Sequence, residues 1–336
     1  MSIKATSFDV ALLAGVSQPT VSRALRRGRG VSADTVKRVL EAADALNYRP
    51  DKRGVELRSG STSRIATVIL GDPHAPEKEL NPFYMALLAA VGRAAARRQL
   101  DLLVSFQRQP SSFNANFRKD GVADAIIVIG TARNVQGWRF FADAHRGGEP
   151  IVCWGSPANT LPTIRSDNRA GSIDAVRHLL RRGRRHIAYV GPGWRRQRAY
   201  RERREGYRIA MDDAGLPILE APIARGPSRQ AQGARSSSEL LDIRPDIDAI
   251  FAASDPLALG AIKAILQRRR RIPEDIAVIG FDGVGYAHQS LPALTTVEQD
   301  VDAAGERLID AVTAIRRGDA PDLHPIAPRL RVLDSA

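Results

Sequence analysis

Within the first 46 residues, three hydroxyl-bearing residues each stand directly before a run of apolar residues at helical spacing, and nothing else in the chain narrows its fold so much. Thr6 opens a Thr-x-x-Asp9 pattern, Ser17 precedes Gln18-Pro19-Thr20, and Ser32 precedes Ala33-Asp34-Thr35. Such side chains accept from the free amides of a first helical turn, so each marks a helix start. Behind them Val10, Ala11 and Ala14, then Val21 and Leu25, then Val36, Val39, Leu40, Ala43 and Leu46 recur with helical period, which predicts three short helices sharing one small core. Between the first two helices stands Ala14-Gly15-Val16-Ser17, where Gly15 permits the positive φ that ends a helix abruptly and Ala11 is small enough for a close crossing. That is the chemistry of a helix-turn-helix. Pro19 falls in the first turn of the second helix, where a missing N–H loses no intrahelical bond.

With Val21 and Leu25 facing inward, Gln18, Pro19, Ser22, Arg23 and Arg26 fall on the outer or flanking faces. An arginine can pair with O6 and N7 of guanine and a glutamine with adenine, each worth about 1–3 kcal/mol of base discrimination. Thr6, Ser7, Ser17, Thr20 and Ser32 offer hydroxyls or helix N-terminal amides to phosphates. A three-helix protein-binding module with a solvated polar face is the competing reading. Charge favours DNA: of the formal +13, residues 1–64 carry twelve Lys and Arg against six Asp and Glu, nearly half the surplus in a fifth of the length. The arginine runs at 181–185 and 268–271 follow apolar helical patterns and read as solvated helix C-termini, where cations complement the dipole.

From residue 64 the pattern becomes strand then helix, with buried strands expected at 65–70, 100–106, 125–129, 151–154, 187–190, 218–223, 249–252 and 276–281, and helices at 84–98, 171–182, 201–214 and 256–267 among others. Alternation of this kind implies doubly wound parallel sheets covered on both faces, here in two lobes around a cleft, with ligands at the carboxyl ends of strands. Asp72, Asp167, Asn168, Ser254, Asp255 and Asp282 fall at those ends. A neutral polyol needs such convergent groups, because each hydroxyl it buries must find a hydrogen bond. Asp255 reads instead as the cap of a helix beginning at Pro256. The short segment 107–124 leaves room for only a reduced helix. The single cysteine, Cys153, lies in an apolar run and reads as a buried strand residue. No stretch approaches the roughly 18 apolar residues of a membrane span, and residues 1–6 carry no apolar signal core, so the expectation is a cytoplasmic protein with no membrane partner. The chain has no Gly-x-Ser-x-Gly, no phosphate-binding Gly-x-x-x-x-Gly-Lys pattern and no paired metal-ligand spacing, and its six histidines are scattered. Neither an enzyme, a metal site nor a cofactor is expected.

The stretch from Asp9 to Leu25, Asp-Val-Ala-Leu-Leu-Ala-Gly-Val-Ser-Gln-Pro-Thr-Val-Ser-Arg-Ala-Leu, resembles the lactose-repressor (LacI/GalR) family of transcriptional regulators, as do Val31-Ser32, Val39-Leu40 and Asn47-Tyr-Arg-Pro50. Resemblance continues through Asn81-Pro-Phe-Tyr84, Ser166-Asp-Asn168, Arg203-x-x-Gly206-Tyr207, Phe251-Ala-Ala-Ser-Asp255, Gly280-Phe-Asp282 and Leu294-Thr-Thr296. It implies a helix-turn-helix head at 1–49, a hinge helix and linker at 50–63, and a periplasmic-binding-protein-like body at 64–336, with lobe 1 at about 64–164 plus 291–323 and lobe 2 at about 165–290 plus 324–336. Gln18 and Pro19 fall on base-reading positions with Arg23 one turn further, and Thr6, Ser17, Thr20 and Ser22 on phosphate-contacting ones. Leu57 matches a leucine pressed into the minor groove, although packing on the body is an alternative role; Gly54 and Val55 replace a usual alanine and arginine of that hinge. Phe83, Tyr84, Asp167, Arg203, Ser254 and Asp282 become effector contacts, alongside Asp72 at its strand end. Ser254 replaces a frequent asparagine, and 224–228 lacks the aromatic residue that often stacks on the ligand. The implied effector is a sugar or glycoside, with a purine, nucleoside or phosphorylated sugar left open. Repression is the family default, activation the alternative. The implied partner is a pseudo-palindromic double-stranded DNA operator, whose matching half-sites call for a homodimer; no leucine heptads follow 329–333, so a tetramer is not expected.

Overall fold

A computed structural model describes residues 5–25, 30–48, 61–74, 81–157, 160–192 and 197–336, and the chain divides into two compact units, 1–62 and 63–336. Leu57, Gly54, Val55 and Arg26 lie outside the described residues, so the hinge expectations are neither met nor overturned.

The first unit holds α1 (Ser7–Ala14), α2 (Gln18–Leu25) and α3 (Ala33–Ala45). The Thr6 pattern closes as a capping box: the Thr6 amide donates to Asp9 at 2.7 Å and the Asp9 amide to Thr6 Oγ1 at 3.4 Å. Gly15 ends α1 at φ +64°, a conformation that would strain any residue with a Cβ. Ser32 accepts from the Thr35 amide at 3.3 Å and caps α3. The Ser17 hydroxyl instead meets the Thr20 hydroxyl at 2.8 Å. Val10, Ala11, Ala14, Val21, Ala24, Val39, Ala42 and Ala43 form the core. Leu40, expected inside, is 49% exposed, because Val39 beside it takes the inward position.

The second unit contains two sheets. In the first, strands run in the order β2 (Asp101–Gln107), β1 (Arg64–Leu70), β3 (Ala125–Gly130), β4 (Ile151–Trp154), β5 (Thr163–Ile164), all parallel. It is flanked by α4 (Pro82–Arg97) and α5 (Val135–Arg146). Chain then crosses to the second lobe, which alternates α6 (Asn168–Arg181), β6 (Ile187–Val190), α7 (Arg198–Asp213), β7 (Leu219–Ala221), α8 (Arg229–Ile243), β8 (Ala249–Ala252), α9 (Asp255–Gln267) and β9 (Ala277–Asp282). Strand β10 (Thr295–Glu298) adds parallel to β9, and β11 (Arg329–Arg331) adds antiparallel at the edge, giving the order β11-β10-β9-β8-β6-β7.

The first lobe does not resume at 291, where the sequence led us to expect it. Residues 295–298 pair with 279–282 in the second sheet, and the return to the first lobe begins with α10 (Val301–Arg317). That helix packs on α4 so closely that a Cβ at Gly305 would meet the Ala90 carbonyl carbon at 2.6 Å. Arg93 reaches Asp302, and Arg98 reaches Glu306 and Asp310, across the same seam. Between β2 and β3 there is only a 3₁₀ turn, Pro110–Ser112, as the short spacing implied. Phe113, Ala115 and Phe117 fill the space over the sheet, and the buried Gln107 amide pins the segment through both backbone groups of Asn114, at 2.9 and 3.0 Å. Cys153 is buried in β4, where burial pushes its thiol up to about 11, well away from nucleophilic use. Arg184 and Arg185 are not merely solvated: Arg184 donates to the Pro273 and Glu274 carbonyls, and Arg185 to those of Leu180 and Arg184.

Candidate functional site

The head presents its polar residues as the spacing of α2 requires. Val21 and Ala24 turn inward, leaving Pro19 and Arg23 exposed and Gln18, Thr20 and Ser22 half-buried. Gln18 Nε2 donates to Ser7 Oγ at 3.2 Å, tying the start of α2 to α1, and Arg23 rests on the Pro19 carbonyl at 3.4 Å. Ser17 and Thr6 stand exposed at the helix starts, beside the free amides of two first turns. Side-chain donors and helix N-termini on one unit suit a polyanion.

In the body, strand ends and helix starts face one another across the two lobes. Asp282 ends β9 at φ +119°, a conformation that disfavours side chains and costs on the order of 1–3 kcal/mol. Its carboxylate meets Arg203 Nη2 at 2.9 Å and accepts from Gln299 Nε2 at 2.8 Å. Arg203, only 4% exposed, also donates from Nε to Asn168 Oδ1 at 2.9 Å and from Nη1 to the Ala253 carbonyl at 2.6 Å, and its guanidinium carbon lies 3.7 Å from the Phe281 ring centre. Gln299 in turn accepts from Ser166 Oγ at 2.7 Å. Ser166 and Gln299 sit on two of the segments that cross between lobes, so the Arg203–Asp282 pair is hydrogen-bonded to the crossings themselves. Sequence reasoning named neither Gln299 nor Glu202, which receives Asn168, Arg165 and Arg198; apart from Arg198, four residues from Glu202, their partners are distant in sequence.

Asp255 and Asp167 exchange the roles expected of them. Asp255 was read as a cap, yet Ser254 is the N-cap residue of α9 and the Asp255 carboxylate crosses to Thr296 Oγ1 and the Val284 amide. Burial, and then the Asp282 carboxylate, push the Asp255 carboxyl up to about 8. Burial also raises Asp282, against the opposing pull of Arg203 and Gln299. Asp167, expected among ligand contacts, caps α6 through the Ala170 amide at 3.0 Å.

From the first lobe, the Tyr84 hydroxyl donates to the Gly130 carbonyl at 3.0 Å, at the carboxyl end of β3. Burial raises its pKa, as do Tyr200 and Asp282, while Arg203 and Arg229 oppose the rise; these four second-lobe groups therefore lie within electrostatic reach of it. Phe83 is 4% exposed and packs on Trp154 with ring centres 5.8 Å apart, so it backs Tyr84 from the core. Asp72 pairs with Arg133 at 3.1 Å and accepts from the His74 amide. The Ser254 hydroxyl is buried with no hydrogen-bond partner among the described residues. No metal-ligating cluster and no helix long and apolar enough to cross a membrane occur among the described residues.

Residues 8–51 match the family described as bacterial regulatory proteins, lacI family, and residues 176–334 match a periplasmic binding protein-like domain. The HTH-type transcriptional regulator CelR of Thermobifida fusca is 30% identical over 90% of this chain and 91% of its own length. A solved transcriptional regulator CelR–cellobiose complex superposes with a TM-score of 0.70 at 27% identity, covering 99% of this chain and 100% of that one. A lac repressor dimer bound to operator and an anti-inducer shares the fold, with a TM-score of 0.73 at 23% identity over 99% of both chains.

Proposed function

Since this chain belongs to the lacI family of bacterial regulatory proteins and is a DNA-binding transcriptional regulator, we propose that it is a repressor whose operator affinity is set by a carbohydrate bound between the lobes. Gln18, Pro19 and Arg23 read base edges while Thr6, Ser7, Ser17, Thr20 and Ser22 hold phosphates, and Leu57 enters the minor groove. Tyr84 approaches the effector from the first lobe and Arg203, Ser254 and Asp282 from the second, with Asp72, Phe83 and Asp167 lining or supporting the same cleft. The observation that carries the reading is the buried Arg203–Asp282 pair, held at a strained backbone position and tied through Gln299 to Ser166. A charged pair so fully desolvated contributes little net stability, and strain of this kind is kept where it has a use. The cellobiose in the solved CelR complex supports a sugar.

A ligand touching Tyr84 and Asp282 together favours one setting of the lobes, and it can shift the protein only by its difference in affinity between the two settings, typically about 1–3 kcal/mol. The link from Asp282 through Gln299 and Ser166 gives that preference a route into the crossings. Two heads on a two-fold operator call for a homodimer. Edge strand β2 supports one, since it exposes Val104 (41%) and Phe106 (57%), apolar surface of the sort that a second subunit covers.

Thermal-shift screening against mono- and disaccharides and nucleosides, followed by operator affinity with and without each hit, tests the reading. The wild type should respond to a hit, whereas Asp282→Asn should bind the operator equally without ligand and lose the response. A folded Asp282→Asn protein that still responds at wild-type ligand concentrations would falsify the site.

A further inference from the structure

The carboxylates around the cleft engage partners other than Arg229. Glu202 meets Arg198 at 2.8 Å and Arg165 at 3.5 Å, and Asp282 is matched by Arg203. Burial and the Asp282 carboxylate push the Asp255 carboxyl up to about 8, which reduces its negative charge at neutral pH, while Asp72 is engaged by Arg133 and Asp167 by the Ala170 amide. Arg229 has no carboxylate partner among the described residues; it donates only to Gln232 Oε1 at 3.1 Å, from the first turn of α8.

Position makes that missing partner matter. The Arg229 guanidinium carbon lies 6.0 Å from the Tyr200 ring centre, and that of Arg203 lies 5.4 Å from the same ring, so two guanidinium groups converge on one tyrosine. Both act on the Tyr84 hydroxyl across the cleft. Two buried polar atoms close in the chain to Arg203 or to the carbonyl it engages also lack partners. The Ser254 hydroxyl follows the Ala253 carbonyl that Arg203 engages, and Gln197 Oε1 stands just before the helix carrying Tyr200 and Arg203; neither is hydrogen-bonded among the described residues. A buried polar atom left without a partner is destabilising, and a ligand seated there would relieve it.

Resting on the cleft reading above, we propose that Arg229, with Tyr200 and Tyr84, forms an anion subsite, so that the effector is a sugar bearing a phosphate or carboxylate group. The paired charges of Arg203 and Asp282 suit hydroxyls, which both donate and accept, whereas the uncompensated guanidinium of Arg229 suits an oxyanion. Charge-assisted hydrogen bonds from a guanidinium to such a group are about twice as strong as neutral ones and can be bidentate.

Calorimetry and thermal shift on the full chain should use matched probes: glucose, glucuronate and glucose 6-phosphate; ribose and ribose 5-phosphate; and inorganic phosphate as the charge alone. At least one anionic sugar should stabilise the protein where its neutral counterpart does not, with the phosphate and carboxylate arms telling the two oxyanions apart. Arg229→Gln, half-buried and expected to fold, should weaken that binding at least tenfold, and Arg229→Lys less. Equal binding of neutral and anionic sugars, unchanged binding by Arg229→Gln, or no response to any anionic probe would each overturn the anion subsite. Binding lost in Asp282→Asn but kept in Arg229→Gln leaves the cleft reading standing and removes only the subsite, whereas binding indifferent to Asp282→Asn removes the cleft reading itself. Phosphate binding that survives Arg229→Gln would belong elsewhere, as in the surface recess of about 410 Å³ lined by Arg177, Arg181 and Arg185, and counts against the subsite.

Discussion

Arg23 in the head and Arg203 in the body are the same residue type put to work in opposite surroundings. Among the described residues Arg23, which is exposed, touches only a carbonyl at 3.4 Å, whereas Arg203 is 4% exposed and holds a carboxylate, an amide oxygen, a carbonyl and an aromatic face. A surface meant for DNA can leave its donors in water, since water satisfies them until phosphates and bases arrive. A cleft whose ligand comes and goes cannot do so, because a buried charge without a partner is destabilising whenever the ligand is absent. On the proposed reading, recognition and stability are separable in the head and fused in the cleft.

The sharpest way to break this contrast is Arg203→Ala. It strands the buried Asp282 carboxylate, and urea denaturation of the body should show a loss of roughly 3–5 kcal/mol; a loss under about 1 kcal/mol would mean that the pair is not integrated as described. A pH series sharpens the same point through Asp255. Its carboxyl ionises near 3.9 when unfolded and near 8 when folded, so the folded state binds the extra proton in between. Stability from this group is full below about pH 4 and is lost as pH rises towards 8, with a slope of at most about 1.4 kcal/mol per pH unit. Asp255→Asn should therefore lose less stability than the wild type between pH 5 and 8; parallel curves for the two proteins would contradict the assignment. In the head, Arg23→Ala should weaken specific operator binding by about 1–3 kcal/mol with relaxed base preference, while the melting of the head stays within about 0.5 kcal/mol of wild type. Binding measured by fluorescence anisotropy that does not change would remove Arg23 from the interface. Smallest is Thr6→Ala, which opens the capping box and should cost the head about 1 kcal/mol, read by chemical denaturation.

What the sequence made legible was local. Thr6 and Asp9, Gly15, and Ser32 each decide their conformation within four residues, and all three features stand where their spacing put them. Long apolar strands such as 125–130 and 249–252 announce themselves by composition alone. Strand β10 did not, because Thr295-Thr296 is polar on paper and becomes buried only by pairing with β9 and receiving Ser335 and Leu333 on its other side. Asp167 and Asp255 show the limit within the site. Each is a carboxylate at the start of a helix, indistinguishable by neighbours, and the choice between capping and reaching away is made by Thr296 and Val284, far along the chain. Gln299 was hidden for the same reason, since only folding places it between Ser166 and Asp282.

Helix α10 has a consequence for how the protein is made. Ala304, Leu308, Ile309 and Val312, fully buried, close the first lobe against α4 and its sheet, yet they are translated only after all of the second lobe except its edge strand β11 and the closing residues. A nascent chain carrying residues 64–164 alone must wait with that apolar face uncovered while well over a hundred further residues are added, about ten seconds or more at ordinary elongation rates. The order of synthesis thus works against the usual sequence of N-terminal parts folding first. The first lobe, although it begins first, is completed only when α10 is made near the end of the chain, with just the edge strand β11 and the closing residues of the second lobe still to come.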